Sequence, residues 1–348
     1  MRDFLYLSRE DVRALRVPPG EVVDILLAAF RAKGSGAAVM PPKLTVHSRG
    51  DDFSQAMAAW ISDAAAGDSS GGPSPQSPSG APKEAGIAGL GAKWVCLFPG
   101  NAALGLPTLH GLLVLSDPET GVPLAVMDAA EVTAIRTGAS AGLAARLLAR
   151  PGASVVGLLG CGVQGRSSLL SLAAELPALR QVRLFDSRPQ AVEALAGDLS
   201  AEIPGVEFVA CREARQVARG ADVVVTAITQ VVGAPPPLDV GLVESGVLAV
   251  ALDYDAAWTP AAMAGFDRFV VDDAAQVLAT RAAGLRLGAI PEIYADLGEL
   301  AAGLAEGRTE HHERFLCLNL GVAIADVAAG MLIYRRAVAA GLGARLPL

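Results

Sequence analysis

Apolar and polar positions alternate along this chain in two different rhythms. Near the N-terminus, Phe4 to Leu7 reads as a strand and Ser8 to Asp11 as a capping box that opens a helix. Pro18-Pro19-Gly20 starts a second helix through Glu21 to Phe30. Residues 37 to 61 read as extended, interrupted by Pro41-Pro42 and by Gly50-Asp51-Asp52. Extended segments resume at Gly91 to Phe98 and Gly111 to Asp117. The turn Asp117-Pro-Glu-Thr-Gly121 then leads into Pro123 to Asp128, which predicts a hairpin.

A different rhythm begins at about residue 131. Short apolar runs now alternate with Ala-rich helical segments: Ser154 to Gly160, Gln181 to Asp186, Val206 to Ala210, Asp222 to Thr229, Val247 to Asp253 and Arg268 to Asp273. Strands spaced by helices imply right-handed crossovers and a parallel sheet. Phe315 to Ala340 reads as one long helix with Gly321 near its start. Between the two rhythms, Ser62 to Gly86 is rich in Ser, Pro, Gly and Ala with no apolar period, which predicts a mobile loop rather than a domain boundary.

Composition narrows the class. A chain of 348 residues suggests two domains, one of them discontinuous, and 52% hydrophobic against 18% charged residues suits Ala-rich helices covering a buried sheet. A net charge of −8 with no Lys/Arg cluster argues against nucleic acid and anionic membranes as partners. Arg136, Arg146, Arg150 or Asp326 interrupts each apolar run short of a bilayer span, and the charged N-terminus lacks a secretory h-region. The expectation is a soluble, cytoplasmic protein. Cys96, Cys161, Cys211 and Cys317 form no CxxC pair, and the four histidines offer no ligand spacing, so neither a disulfide framework nor a metal is expected.

Gly160-Cys-Gly-Val-Gln-Gly165 is a G-x-G-x-x-G motif whose context matters more than its spacing. It follows a strand-like run, opens a helical run from Ser167 to Leu176, and has Asp186 at the end of the next strand, 21 residues beyond Gly165. Gly160 serves the turn, Gly162 lets backbone approach a pyrophosphate, and Gly165 allows close helix–strand packing. Val163 and Gln164 complete the loop, and the helix N-terminus offers free N–H groups to the diphosphate. Asp186, followed by Ser187 and Arg188, would accept from the adenosine ribose. Its carboxylate favours NAD, while Arg188 leaves NADP open. The plain alternative is a βα turn with a strand-end aspartate.

Several stretches elsewhere together resemble the ornithine cyclodeaminase/mu-crystallin family: Met40-Pro-Pro-Lys43, Gly91-Ala-Lys93-Trp-Val, Phe98-Pro-Gly-Asn101, Asp117 to Asp128, Thr133 to Ser140 and Asn319 to Asp326. The resemblance covers nearly the whole chain except residues 62–86. It implies an α/β architecture in which a Rossmann dinucleotide-binding domain, residues 131–310, is inserted into a discontinuous α+β substrate and dimerisation domain, residues 1–130 plus 311–348. Such enzymes move a hydride between NAD(P) and the α-carbon of an amino or imino acid, and a homodimer is implied.

By the resemblance, Lys43, Lys93 and Arg136 grip the substrate carboxylate, Arg136 with a bidentate fork. In otherwise apolar surroundings unpaired cations would be costly, which points the same way. For Arg136 the alternative is an ion pair with a carboxylate such as Asp128, and for Lys43 a solvated loop position. Proton transfer falls to Asp255 by the family pattern, with Asp253 as the fallback. Either could instead cap the helix near Thr259-Pro260. Thr137, Thr226, Thr229, Asn319 and Gly321 are expected beside the cofactor, with a helix N-cap as the alternative for Asn319.

The chain departs from the basic-amino-acid cyclodeaminases at Gln55-Ala-Met57-Ala58, where those enzymes carry a Glu and a Met-Pro. A neutral amide cannot neutralise a buried ammonium, so Gln55 and Met57 suit a small or apolar substrate. The expected activity is therefore that of an NAD(P)-dependent amino-acid dehydrogenase or imine reductase. Ornithine cyclodeaminase proper and a non-catalytic mu-crystallin-like binder are the alternatives.

Overall fold

The computed structural model describes residues 3–63, 87–229, 235–284 and 286–348. The expected mobile loop at 62–86 lies, from residue 64 onward, outside the described residues.

The chain builds two sheets. The first unit opens with β1 (Asp3–Leu7), α1 (Arg9–Ala14) and α2 (Pro19–Gly34), then β2 (Ala38–Val39), β3 (Leu44–Arg49), β4 (Asp52–Ile61), β5 (Gly89–Leu97), β6 (Leu109–Ser116) and β7 (Pro123–Asp128). Ser8 and Asp11 form the capping box of α1, and Pro19 occupies the first turn of α2. The β6–β7 hairpin forms as the turn chemistry predicts, with Asp117 Oδ1 accepting from the Thr120 N–H and hydroxyl. Alternate residues of β5 to β7 face inward, so Lys93, Leu113, Leu115, Ala125 and Met127 are buried while Trp94, Leu112 and Val114 point outward.

The helix α3 (Ala129–Leu148) passes from the first unit to the second. Its middle, from Ala139 to Ala145, is buried all round, and its Ala, Gly and Ser residues permit that close packing. The second unit follows as β8 (Val155–Leu159), α4 (Val163–Glu175), β9 (Gln181–Phe185), α5 (Pro189–Glu202), β10 (Glu207–Ala210), α6 (Arg215–Ala218), β11 (Val223–Thr226), β12 (Leu248–Ala251), α7 (Pro260–Met263), β13 (Arg268–Val271), α8 (Ala274–Ala282), β14 (Ala295–Asp296), α9 (Leu297–Ala301) and β15 (Phe315–Leu318). Its sheet is parallel throughout, in the order β10-β9-β8-β11-β12-β15-β13-β14. The order reverses between β8 and β11, the place where open α/β sheets take ligands.

Phe315 to Leu318 corrects the expectation of one long C-terminal helix beginning there. Four consecutive buried apolar residues carry no period, and they insert as a strand between β12 and β13. The return to the first unit therefore comes after Leu318 rather than at residue 311. Gly321, at φ +83°, turns the chain into α10 (Ala323–Ala340), which packs on β4, β5 and β6. The final strand β16 (Ala344–Pro347) pairs antiparallel with β1, completing the first sheet in the order β16-β1-β7-β6-β5-β4-β2, with β3 also paired to β4. Lys33 of α2 ties the units together, 2.9 Å from Asp273 and 2.6 Å from Asp296. Among the described residues no helix is long and apolar enough to cross a membrane.

Candidate active site

The glycine loop has the form a diphosphate needs. Gly160 adopts φ +103°, and a Cβ there would stand 2.5 Å from the Ala227 carbonyl oxygen, so the turn after β8 admits glycine alone. A Cβ on Gly165 would meet the Gly160 carbonyl oxygen at 2.1 Å, whereas nothing lies within 4 Å of one on Gly162. The first and third glycines thus serve packing, and the second leaves open space. Gly162 is the N-cap of α4 and supplies no side-chain acceptor, leaving the N–H groups of that turn for an anion. Asp186 closes the edge of the cradle by accepting from the Cys161 and Arg188 N–H groups, each at 2.9 Å. Burial works to raise its pKa, but those backbone bonds and the Arg188 charge outweigh it and hold the carboxyl below its usual range. The side chains of Ser187 and Arg188 flank this edge, both exposed. These residues fit a dinucleotide.

A cavity of about 150 Å³ lies where residues of both units meet. Its floor is the inward face of the first sheet: Phe53, Gln55 and Met57 of β4, Lys93, Val95 and Leu97 of β5, and Leu109 of β6. Period-two alternation puts these on one face, and Met57 pairs directly with Lys93. Thr133 and Arg136, three residues apart on α3, form one wall. Lys43, Tyr254 and Leu320 form another. Tyr254 and Leu320 follow β12 and β15, so they stand at the same carboxyl edge of the parallel sheet as the glycine loop.

All three expected cations are thereby brought together. Asp326 of α10 holds two of them: its Oδ1 accepts from Lys93 Nζ at 2.7 Å and from Arg136 Nε at 2.9 Å. Lys93 also donates to Thr133 Oγ1 at 3.3 Å. Burial lowers the Lys93 pKa to about 8, with Asp326 opposing and Arg136 and Lys43 assisting that fall. The Arg136 Nη groups make no hydrogen bond among the described residues, leaving a two-nitrogen edge free. Lys43 Nζ donates to the Leu320 carbonyl at 2.8 Å and to the Tyr254 hydroxyl at 3.2 Å, while its backbone N–H donates to Gln276 Oε1 at 2.7 Å. It is not a solvated loop lysine. Asp128, weighed as a partner for Arg136, instead caps α3 and pairs with Arg9.

The acidic candidates divide. Neither aspartate lines the cavity, and Asp255 turns away from it: its Oδ2 accepts from the Leu287 N–H at 3.0 Å, and its Oδ1 is buried without a partner. Asp253 sits at the carboxyl edge, accepting from the Thr226 hydroxyl at 2.8 Å and the Ile228 N–H at 3.1 Å. Burial pushes its carboxyl up to about 7 against those two bonds. Neither aspartate caps the following helix, because Thr259 does. Thr226 is fully buried and its hydroxyl is committed to Asp253, so it presents no donor to a cofactor. Thr229 is exposed just beyond it, and Thr137 is buried on α3. Asn319 is not an N-cap, since α10 starts after Val322. Its Nδ2 is buried with no partner. Such an orphaned donor at this edge suits a carboxamide oxygen.

Four contributors were not legible in advance. Asp326 lies on a buried helix face, Thr133 precedes Arg136 by one turn, and Tyr254 stands between the two candidate aspartates. Asp272, at the end of β13, accepts from the Gly321 N–H at 2.6 Å and so fixes the loop that covers Arg136. The acidic residue seven beyond Asn319 was the available signal for Asp326, which falls in the first turn of the helix.

Comparison with known proteins agrees with this geometry. A profile of the ornithine cyclodeaminase/mu-crystallin family matches residues 81–341. Alanine dehydrogenase of Archaeoglobus fulgidus is 31% identical, with 98% of each chain covered. The structure of Thermococcus litoralis Delta(1)-pyrroline-2-carboxylate reductase in complex with NADH and L-proline superposes with a TM-score of 0.82 at 26% identity, covering 99% of this chain and 100% of that one. An archaeal alanine dehydrogenase dimer with bound NAD gives 0.81 at 28% identity over the full length of both. With its parallel sheet, glycine cradle and three gathered cations, this chain belongs to the ornithine cyclodeaminase/mu-crystallin family.

Proposed function

We propose that this protein catalyses NAD(P)-dependent oxidoreduction at the α C–N bond of a small or apolar amino or imino acid, with NAD the preferred dinucleotide. The observation that carries the reading is the Arg136 guanidinium, held through Nε by Asp326 with its two Nη groups free in a cavity shared with Lys93 and Lys43. That edge matches the two oxygens of a carboxylate.

A dinucleotide held at the Gly160–Gly165 cradle would supply the hydride chemistry. The chain's own residues do the rest. Arg136, Lys93 and Lys43 clamp the carboxylate, and the apolar floor excludes water from the α-carbon. Asp253 takes the proton from the substrate nitrogen during oxidation and returns it during reduction; a carboxyl near 7 suits both directions. Asp253 is preferred to Asp255 because its partners Thr226 and Ile228 stand at the carboxyl end of β11, at the sheet edge a dinucleotide would occupy, whereas Asp255 is turned towards Leu287. Gly160, Gly162, Val163, Gln164, Gly165, Asp186, Ser187 and Arg188 form the dinucleotide cradle, and Asn319 offers its free Nδ2 at the nicotinamide end.

Ornithine cyclodeaminase proper fits less well. The residue facing the cavity at the discriminating position is Gln55, which donates to Thr45 Oγ1 at 3.2 Å, and no carboxylate lines the cavity to meet a distal ammonium. The retained cations and Asp253 also favour an enzyme over a non-catalytic binder. We place the enzyme in the cytoplasm, where free thiols such as its four cysteines stay reduced. We read it as a homodimer through the uncovered face of the first sheet, where Trp94 and Leu112 are direct cross-strand neighbours, each 48% exposed.

The deciding assay follows nicotinamide absorbance with NAD or NADP and a panel of amino acids, then with NADH or NADPH and 2-oxo acids plus ammonia or methylamine. Reduction of NAD by a short-chain amino acid supports the reading; proline formed from ornithine without net absorbance change would replace it with the cyclodeaminase. Asp253→Asn should lose turnover while Asp255→Asn retains it.

A further inference from the structure

Tyr254 is one of three non-glycine residues in the described chain with positive φ, at 60°. A β-carbon disfavours that conformation, so something must enforce it. Both neighbours are pinned. Asp253 is bound to Thr226 and Ile228, and Asp255 to the Leu287 N–H. The turn is closed by the Ala256 N–H donating to the Asp253 carbonyl at 3.1 Å. Clamped on each side, the chain directs the Tyr254 side chain into the cavity, where its ring forms part of the wall.

The ring is held there by cations. Arg286 lies 5.2 Å from its centroid and Lys43 Nζ 5.6 Å, and the hydroxyl accepts from Lys43 at 3.2 Å. Arg286 adjoins Leu287, whose N–H Asp255 holds, so the same aspartate that leaves the cavity keeps the stacking cation in place. A large, stiff ring thus faces the apolar residues Phe53, Met57, Val95, Leu97 and Leu109 across a space of about 150 Å³.

We propose that Tyr254 is the specificity-determining residue of this cavity: its ring, turned inward by left-handed backbone and held between clamped neighbours, limits the length of side chain the amino or imino acid can carry. The inference rests on the proposed function for the identity of the substrate, and on geometry alone for the size limit.

The test compares Tyr254→Ala and Tyr254→Phe with the parent protein. Calorimetric affinities are measured for unreactive straight-chain carboxylates from propionate to octanoate, and kcat/KM for L-alanine against L-norleucine with NAD. The alanine variant should raise the long-to-short ratio in both measurements by at least about ten-fold, the discrimination that one or two methylenes carry in an apolar pocket. The phenylalanine variant, which keeps the ring, should hold the parent ratio. An alanine variant whose ratio stays near the parent's overturns the proposal, as does a phenylalanine variant that shifts as far as alanine. Should no amino acid or 2-oxo acid turn over, the functional reading fails while the carboxylate series still reads the size limit. Absence of any carboxylate binding overturns both.

Discussion

Lys93 Nζ and Asp326 Oδ1 stand 2.7 Å apart, both side chains 1% exposed, and the same oxygen holds Arg136 Nε at 2.9 Å. One carboxylate therefore orients two cations and neutralises only one of them. The residual positive charge is what an incoming carboxylate meets. The Asp326 Oδ2 is buried without a partner among the described residues.

Removing that counter-charge should be costly. Asp326→Asn leaves two buried cations without their counter-charge, so unfolding in urea is expected at a stability lower by about 3–5 kcal/mol. A denaturation midpoint unchanged from the parent would mean that the ion pair is not formed in solution.

Substrate binding should weaken in alkali. Lys93 titrates at about 8 in the folded protein, below its ordinary value, so its ammonium disappears as pH rises through that point while the arginine stays charged. KM for the carboxylate substrate should be flat from pH 6 to about 8 and then rise roughly ten-fold per pH unit. A KM that stays level to pH 10 would remove Lys93 from the clamp, and Lys93→Arg should abolish the rise.

Gly321 carries a steric prediction. A Cβ there would stand 2.8 Å from Arg136 Nη1 and 2.9 Å from Nη2, at a φ of +83° that other residues resist. Gly321→Ala should displace the guanidinium and lower kcat/KM by about a hundred-fold, the scale of a 1 Å misplacement. NADH affinity, read by fluorescence titration, should fall by much less than kcat/KM, because the diphosphate would be held at the N-terminus of α4 rather than at this loop.

The outer face of the first sheet predicts assembly. Trp94→Glu combined with Leu112→Arg puts charges at two directly paired outward positions. Sedimentation should show the parent as a dimer and the double variant as a monomer; a parent that sediments as a monomer rules the interface out.

The elements of the dinucleotide cradle were legible in the sequence, because they are local. Strand, glycine loop, helix and Asp186 follow one another within about thirty residues, and each has a signature in its immediate neighbours. The substrate half was read only as separate candidates. Lys43, Lys93 and Arg136 were expected to act together, but the Asp326 that binds two of them enters from a helix nearly two hundred positions later in the chain.

One expectation failed for a physical reason. Phe315 to Leu318 looked helical because four apolar residues in a row have no period, and only the vacancy between β12 and β13 makes them a strand. Asp253 and Asp255 are two residues apart in a tight turn, and the partner each one takes depends on where Thr226 and Leu287 fall. Local patterning determined the element types, the dinucleotide loop and the cations themselves, since those depend on side-chain periodicity and turn chemistry. Which aspartate meets which cation, and which ring closes the cavity, depends on contacts between segments far apart in the chain, and only the packed tertiary structure could decide them.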